Sequence, residues 1–380
     1  MDRKSATSQR ETYHGEQELS GLGLWDRLEG RRHPMSFDME ITARCNNNCR
    51  HCYINLPVDD ATAKSSELSL AEIESIADQA VELGSLWCLL TGGEPLLRSD
   101  FEEIYLALRR KGLLVSVFTN ATIVTARHVR LFKEVPPRDL EVTVYGVTKR
   151  TYENVTRAPG SFERFRRGLD RLLEAGIPVR LKAMAMKSNA HELEQMASFC
   201  RQRTKNHFRF DPQLHQRYDG DSQRNADIRA ERLSPEEVVA LEQSDPARME
   251  ALIKIRDELL NAPLPPADYR SIFRCAAGSS SFSIGYDGAF RICASLCAPG
   301  TTYDLRQGTL VEAWREFVPS VRAIRTDRKA FLEGCHQCFL AQLCYWCPAH
   351  AHLECGELDG DTPYFCSVAH ARAEMLAPGK

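Results

Sequence analysis

The chain has 380 residues, 43% of them hydrophobic and 27% charged, with a formal net charge of −3. That length suits one large domain plus a smaller one, and the composition is ordinary for a soluble globular enzyme. The charge balance gives no footing for nucleic acid or an anionic membrane, and no run of about 18 apolar residues exists to span a bilayer.

The opening "MDRKSATSQRETYHGEQ" has no apolar core and cannot serve as a secretory signal. A cytoplasmic location follows, where 14 cysteines point to metal or catalysis rather than disulfides. Residues 1–35 read as an extension with one short helix around Leu22–Leu28. From Ser36 the pattern becomes regular. The strand-like run Phe37–Ala43 leads straight into three cysteines, Cys45, Cys49 and Cys52. A helix then starts at a Ser69/Glu72 capping box, buries Ile73, Ile76, Ala77, Ala80 and Val81, and stops at Gly84.

Strands at Trp87–Leu90, Leu113–Phe118, Leu140–Tyr145 and Pro178–Ala185 precede helices near Asp100–Lys111, Ala126–Val135, Phe162–Ala175 and Glu192–Arg203. A sixth strand, His207–Gln213, runs into a polar, loop-like stretch ending at Ser234. Six alternating units predict parallel pairing in an α/β partial (β/α)6 TIM-like barrel over residues 36–262, with chemistry at the C-terminal strand ends. Helices at Pro235–Glu242 and Ala247–Leu260 and a proline-rich linker, Asn261–Tyr269, close this domain. Residues 263–380 form a smaller cysteine-rich domain, with a hairpin turning at Asp287-Gly288.

Cys45-x3-Cys49-x2-Cys52 lacks the fourth ligand of a structural zinc site, because His51 is too close to Cys52 to share its metal. An iron–sulfur cube held by three thiolates keeps one iron open for an exogenous chelator. With Thr91-Gly92-Gly93-Glu94-Pro95 after the second strand, the trio resembles the radical S-adenosylmethionine (radical SAM) superfamily. That resemblance implies a [4Fe–4S] cluster whose open iron binds the amino and carboxylate groups of SAM. It implies reductive cleavage to a 5′-deoxyadenosyl radical that abstracts hydrogen from substrate, with a reductant such as ferredoxin or flavodoxin. Gly92, Gly93, Glu94 and Pro95 match the motif that contacts the SAM amino group: glycines admit the ligand, and a carboxylate meets an ammonium. Thr119, Asn120, Thr143 and Arg157 resemble further SAM contacts. His51 stands where relatives carry an aromatic that packs on adenine.

The later cysteines, Cys275, Cys293, Cys335, Cys338, Cys344, Cys347 and Cys366, resemble the SPASM extension of these enzymes, which holds two auxiliary [4Fe–4S] clusters. By that pattern Cys335, Cys338, Cys344 and Cys366 hold the outer cluster, and Cys275, Cys293 and Cys347 the inner one. The inner cluster takes Cys297 or Cys355 as its fourth ligand, or leaves an iron open to a substrate thiolate. Two zinc sites are the alternative. Cys88 and Cys200 read as buried thiols, and His350, His352 and His370 as surface residues.

The resemblance implies modification of a ribosomally made peptide by crosslinking, epimerisation or decarboxylation. The alternatives are tetrapyrrole side-chain chemistry, sulfatase-type formylglycine formation and a non-enzymatic iron–sulfur electron carrier. Ala294 counts against the sulfatase reading, where an aspartate is expected. The 35 residues before the first strand are too few for a leader-binding domain, so for a peptide substrate either a separate protein is expected to carry the leader or the barrel mouth binds it alone.

Overall fold

The computed structural model describes residues 32–205, 208–260 and 270–377. The short helix expected at Leu22–Leu28 and the linker Asn261–Tyr269 lie outside the described residues. Six strands pair in parallel, each with the next: β1 (Ser36–Thr42), β2 (Trp87–Gly92), β3 (Leu114–Thr119), β4 (Leu140–Val144), β5 (Arg180–Met184) and β6 (Arg209–Asp211). The sheet continues past β1. β7 (Ser281–Ile284) pairs parallel to it, and β8 (Ala289–Arg291) and β9 (Thr302–Asp304) follow antiparallel. The order β6-β5-β4-β3-β2-β1-β7-β8-β9 leaves β6 and β9 as edges, an open form of the expected six-unit barrel.

Local signals explain most helices. Ser69 and Glu72 form the capping box of Leu70–Glu82, which buries Ile73, Ile76, Ala77 and Ala80. Val81, expected on that face, is 38% exposed, because the helix turns it away from the sheet. Gly84 ends the segment at a φ of +97° that a side chain rarely adopts. Phe101–Arg110 carries Glu102 and Glu103 in its first turn and Arg109 and Arg110 in its last, each matched to the helix dipole. Three further helices fall between the expected elements: Ala61–Ser66, Lys149–Thr156 and Ser222–Glu231. Ser222–Glu231 corrects the polar-loop reading of that region. Its buried positions are Asn225, Ile228 and Glu231, so no apolar stripe betrays it.

The two faces of the sheet differ in kind. Register places Asp38 beside Leu89 and Ser283, Leu89 beside Ser116, Phe118 beside Glu141, Thr143 beside Lys182, and Met184 beside Asp211. These alternate with Phe37, Met39, Cys88, Leu90, Val115, Val117, Val142 and Phe282, all buried against the helices. Phe37 stacks on Phe282 at 5.2 Å, and Trp314 covers Phe282 at 5.8 Å. A closed barrel of this type fills its interior with bulky branched side chains. Here that face carries charge instead. Glu141 pairs with Lys182 and Arg209, and Lys182 sits 3.9 Å above the Phe118 ring.

Asp38 has no such partner among the described residues, and burial pushes its carboxyl up to about 6. A carboxyl raised on folding stabilises the fold below its ordinary value and loses that contribution as pH climbs through 6. Asp38→Asn is therefore expected to match the parent near pH 4 and exceed it by about 2 kcal/mol at pH 8, in urea unfolding of the metal-free chain. A second test concerns Gly168, where an added Cβ would stand 1.8 Å from the Ala121 carbonyl oxygen. Helix propensity alone predicts that Gly168→Ala stabilises by about 1 kcal/mol. The contact predicts a loss of about 1–3 kcal/mol instead, read from the same unfolding midpoint.

Candidate active site

The cysteine trio follows β1 on the end of the sheet where parallel strands finish. Its backbone is fixed before any ligand is considered. Cys45 N–H donates to the Leu56 carbonyl at 2.9 Å, and Leu56 N–H returns to Ala43 at 2.8 Å. Asn48 and Arg50 N–H groups reach the Thr156 and Val155 carbonyls at 2.8 and 3.0 Å, satisfying acceptors that the end of Lys149–Thr156 would otherwise leave open. Two arginines that the sequence reading passed over hold the other side. Arg217 donates to the Cys52 and Asn55 carbonyls at 3.3 and 3.2 Å. Arg224 donates to the Cys49 carbonyl at 3.3 Å and the Asn55 side chain at 2.8 Å.

Donors also point at sulfur. Asn47 N–H lies 3.4 Å from Cys45 Sγ, Asn55 N–H 3.3 Å from Cys52 Sγ, and Asn120 Nδ2 3.7 Å from Cys45 Sγ. Burial pushes the Cys45 and Cys49 thiols up, and the Glu94 charge adds to this at Cys45. Among the described residues no three His, Cys, Asp or Glu side chains converge on a point where one metal ion would sit. Ligands of a multi-iron cube bind separate irons and need no such convergence.

The trio lines a cavity of about 280 Å³ together with His51, Gly92, Gly93, Thr119, Asn120 and Thr143, all expected there. Gly92 and Gly93 also serve packing. A Cβ on Gly92 would meet the Thr42 oxygen at 2.2 Å, and one on Gly93 the Arg44 oxygen at 2.3 Å. Glu94 and Pro95 sit behind this wall, both buried. The Glu94 carboxylate accepts from Thr119 Oγ1 and Asn120 N–H at 2.7 Å each and from Leu96 N–H at 3.1 Å, and burial pushes it up to about 7. It thus braces the end of β3 and keeps one of its roughly four acceptor positions. Burial lowers His51 to about 4, so its ring is neutral, 5.4 Å from Tyr145, with Nδ1 unpartnered among the described residues.

Arg157 is not brought to the cavity. It caps Lys149–Thr156 at a φ of +48° and pairs with Asp227 at 2.7 Å. Lys182, Met184, Asp211, Gln213 and His215, from β5, β6 and the segment after them, line the opposite wall. They were missed because each is an isolated polar or sulfur side chain with no motif around it.

A second cavity of about 470 Å³ gathers Cys275, Cys335, Cys338, Cys344, Cys347 and Cys366, with Arg274, Trp346 and Asp361 beside them. Cys293 does not line it, yet its charge bears on Cys347 and that of Cys275 on both. Backbone N–H groups of Trp346 and His350 point at Cys344 and Cys347 Sγ, each at 3.4 Å. Neither candidate for a fourth inner ligand joins them. Cys355 donates to the Ala351 carbonyl at 3.2 Å, and Cys297 lines a third cavity. Cys88 and Cys200 are buried as expected. His350 is not a surface residue: it packs against His215 at 4.5 Å and Phe365 at 5.2 Å.

Comparison with known proteins agrees with this geometry. Residues 39–200 match the family model of the radical SAM superfamily. An AdoMet-dependent heme synthase of Methanosarcina barkeri (strain Fusaro / DSM 804) is 31% identical over 160 residues, 42% of this chain and 45% of that protein. A probable GTP 3′,8-cyclase of Methanothermobacter thermautotrophicus is 33% identical over 172 residues, 44% of this chain and 54% of its own. The matched region thus spans about half the length of these curated relatives. Among solved structures, Streptococcus suis SuiB bound to precursor peptide SuiA superposes with a TM-score of 0.67 at 16% identity, over 88% of this chain and 76% of SuiB. Native anSMEcpe with bound AdoMet and Kp18Cys peptide gives 0.62 at 14%, over 89% of this chain and 96% of its own. The fold likeness therefore extends well beyond the matched segment, and the match to the radical SAM superfamily is carried by residues 39–200.

Proposed function

We propose that this chain is a radical SAM enzyme that modifies a peptide, with Cys45, Cys49 and Cys52 as ligands of a [4Fe–4S] cluster. The observation that carries this reading is the meeting of three thiols, the Gly92-Gly93 backbone and the strand ends at Thr119, Asn120 and Thr143 in one cavity. Three thiolates satisfy three irons of a cube, and the fourth is left for the amino and carboxylate groups of SAM. When bound, the cluster supplies the electron that cleaves SAM to a 5′-deoxyadenosyl radical able to take hydrogen from substrate.

The chain's own groups bind, orient and exclude water. N–H donors from Asn47, Asn55 and Asn120 offset thiolate charge, and Arg217 and Arg224 keep the loop from shifting. The remaining acceptor position of Glu94 suits an ammonium, and the neutral His51 ring suits the face of an adenine. Tyr145 and Met184 shield the cavity, and Lys182, Asp211, Gln213 and His215 offer polar contacts to a substrate entering from the strand ends. Arg157 acts at a distance, tying Lys149–Thr156 to Ser222–Glu231 through Asp227.

In the C-terminal region, which we read as a SPASM-type domain, Cys335, Cys338, Cys344 and Cys366 suit one auxiliary cluster. Cys275, Cys293 and Cys347 suit an inner cluster with an open iron, because Cys297 and Cys355 lie apart from them. A ferredoxin or flavodoxin in a reducing cytoplasm is the reductant this chemistry asks for, and a separate leader-binding protein remains part of the reading. The peptide assignment is supported by SuiB and anSMEcpe, whose structures with peptides match nearly nine-tenths of this chain. Tetrapyrrole chemistry is the second reading, favoured by the heme-synthase relative, whose match is confined to less than half of the chain.

Cys49→Ala is expected to abolish dithionite-dependent 5′-deoxyadenosine formation, to below about one-hundredth of the parent rate, while retaining roughly two-thirds of the reconstituted iron. Liquid chromatography of the nucleoside and an iron assay on the same sample check both halves. Parent-like nucleoside release would overturn the assignment of the trio.

A further inference from the structure

A third cavity, of about 430 Å³, opens beside the first and shares Tyr53 and Ile54 with it as a common wall. It lies at the ends of β1 and β7, between the trio loop, the Tyr218-Asp219 segment after β6 and the β7–β8 turn at Tyr286-Asp287. Its most deeply buried charge is Glu40, 1% exposed, on the charged face of the sheet. Glu40 Oε2 accepts from Arg291 Nη2 at 3.1 Å, whereas Oε1 is buried with no hydrogen-bond partner among the described residues. A folded chain rarely leaves a buried carboxylate oxygen unpaired without a reason. Burial pushes this carboxyl up to about 7 even with Arg291 beside it, the response of an anion that lacks enough positive charge nearby.

The surroundings favour a cation over a neutral donor. Tyr53, Tyr218 and Tyr286 present aromatic rings, with Tyr53 and Tyr218 5.0 Å apart, and Arg291 already uses Tyr218 as a cation–π partner at 4.9 Å. Asp219 and Asp287 add two carboxylates to Glu40, against Arg291 as the one basic residue in the lining; Arg217, paired with Asp219 at 2.6 Å, stands outside it. Arg291 is itself committed to Glu40 and to the Ala294 carbonyl.

We infer that this cavity receives the basic side chain of a lysine or arginine in the peptide substrate. Its ammonium or guanidinium donates to Glu40 Oε1, and its alkyl stem lies along the tyrosines. The inference rests on the peptide reading above and deepens it. With Tyr53 as the shared wall, the residue that loses hydrogen occupies the trio cavity, and a nearby basic residue anchors across the wall.

The test is ligand-observed NMR titration of the reconstituted full chain with N-acetyl-lysine methylamide, and with the norleucine and glutamine analogues. The lysine probe is expected to bind saturably, with both neutral analogues at least about tenfold weaker, as suits a charge-assisted contact. Glu40→Gln should weaken the lysine probe by about tenfold. Asp287→Asn, at an exposed turn that does not threaten folding, should weaken it about threefold, with parental iron content confirming an intact chain. Equal binding of the lysine and norleucine probes, stronger binding of the glutamine probe, or Asp287→Asn binding as the parent does would overturn the cationic site. If the lysine probe binds as expected but no basic peptide becomes modified when SAM is turned over, the cation site stands and the peptide reading falls.

Discussion

A parallel sheet that packs helices on one face has to do something with the other. This chain leaves that second face polar, and the rest of the molecule follows from the choice. Asp38, Glu40, Glu141, Lys182, Asp211 and Arg291 would each be costly in a filled barrel interior. Here most are offset by one another: Glu141 by Lys182 and Arg209, Glu40 by Arg291. The open edges at β6 and β9 and the two cavities near the strand ends are consistent with a face that admits ligands.

At the strand ends the governing problem is three thiols in a buried place, where thiolate charge would be costly. Cys49 is buried, Cys45 and Cys52 are half-buried, and the buried Glu94 adds negative charge nearby. The nearest arginines spend their donors on backbone carbonyls of the loop, the Asn48 and Asn55 side chains and Asp219, and leave the sulfurs to N–H groups. Such a site stabilises thiolates fully only when a cationic centre sits among them. The same logic recurs in the C-terminal cavity, where burial, and after it the charge of neighbouring thiols, pushes Cys335, Cys344 and Cys366 up. The Glu94 carboxylate ties the two halves of the first site together, since two of its donors come from the end of β3 while Gly92 and Gly93 press against the end of β1.

The parts legible in the sequence were those written in local pattern. The six strand–helix units, the Ser69/Glu72 cap and the Asp287-Gly288 turn all depend on residues within a few positions of one another. The trio and the Gly92-Gly93 turn were legible because their chemistry is dense in a short stretch. Pairing of β7 with β1 was not, since a register across some 240 residues leaves no local mark. Arg217 and Arg224 were hidden in a stretch whose helix buries Asn225 and Glu231, so hydrophobic periodicity had nothing to report. Arg157 matched a motif position but points to Asp227, because its left-handed cap conformation turns it from the cavity. His350 looked like a surface residue, and only the packing of two distant segments places it against His215.

The central claim is that the three thiols after β1 hold the cluster that makes SAM reactive. Anaerobic reconstitution with iron and sulfide, followed by assays of iron and of dithionite-dependent 5′-deoxyadenosine, tests it most directly. The account predicts roughly 12 irons per chain, from three cubes of four, and nucleoside released only when SAM and reductant are both present. Tightly bound zinc with no 5′-deoxyadenosine would contradict it and make the trio a structural metal site.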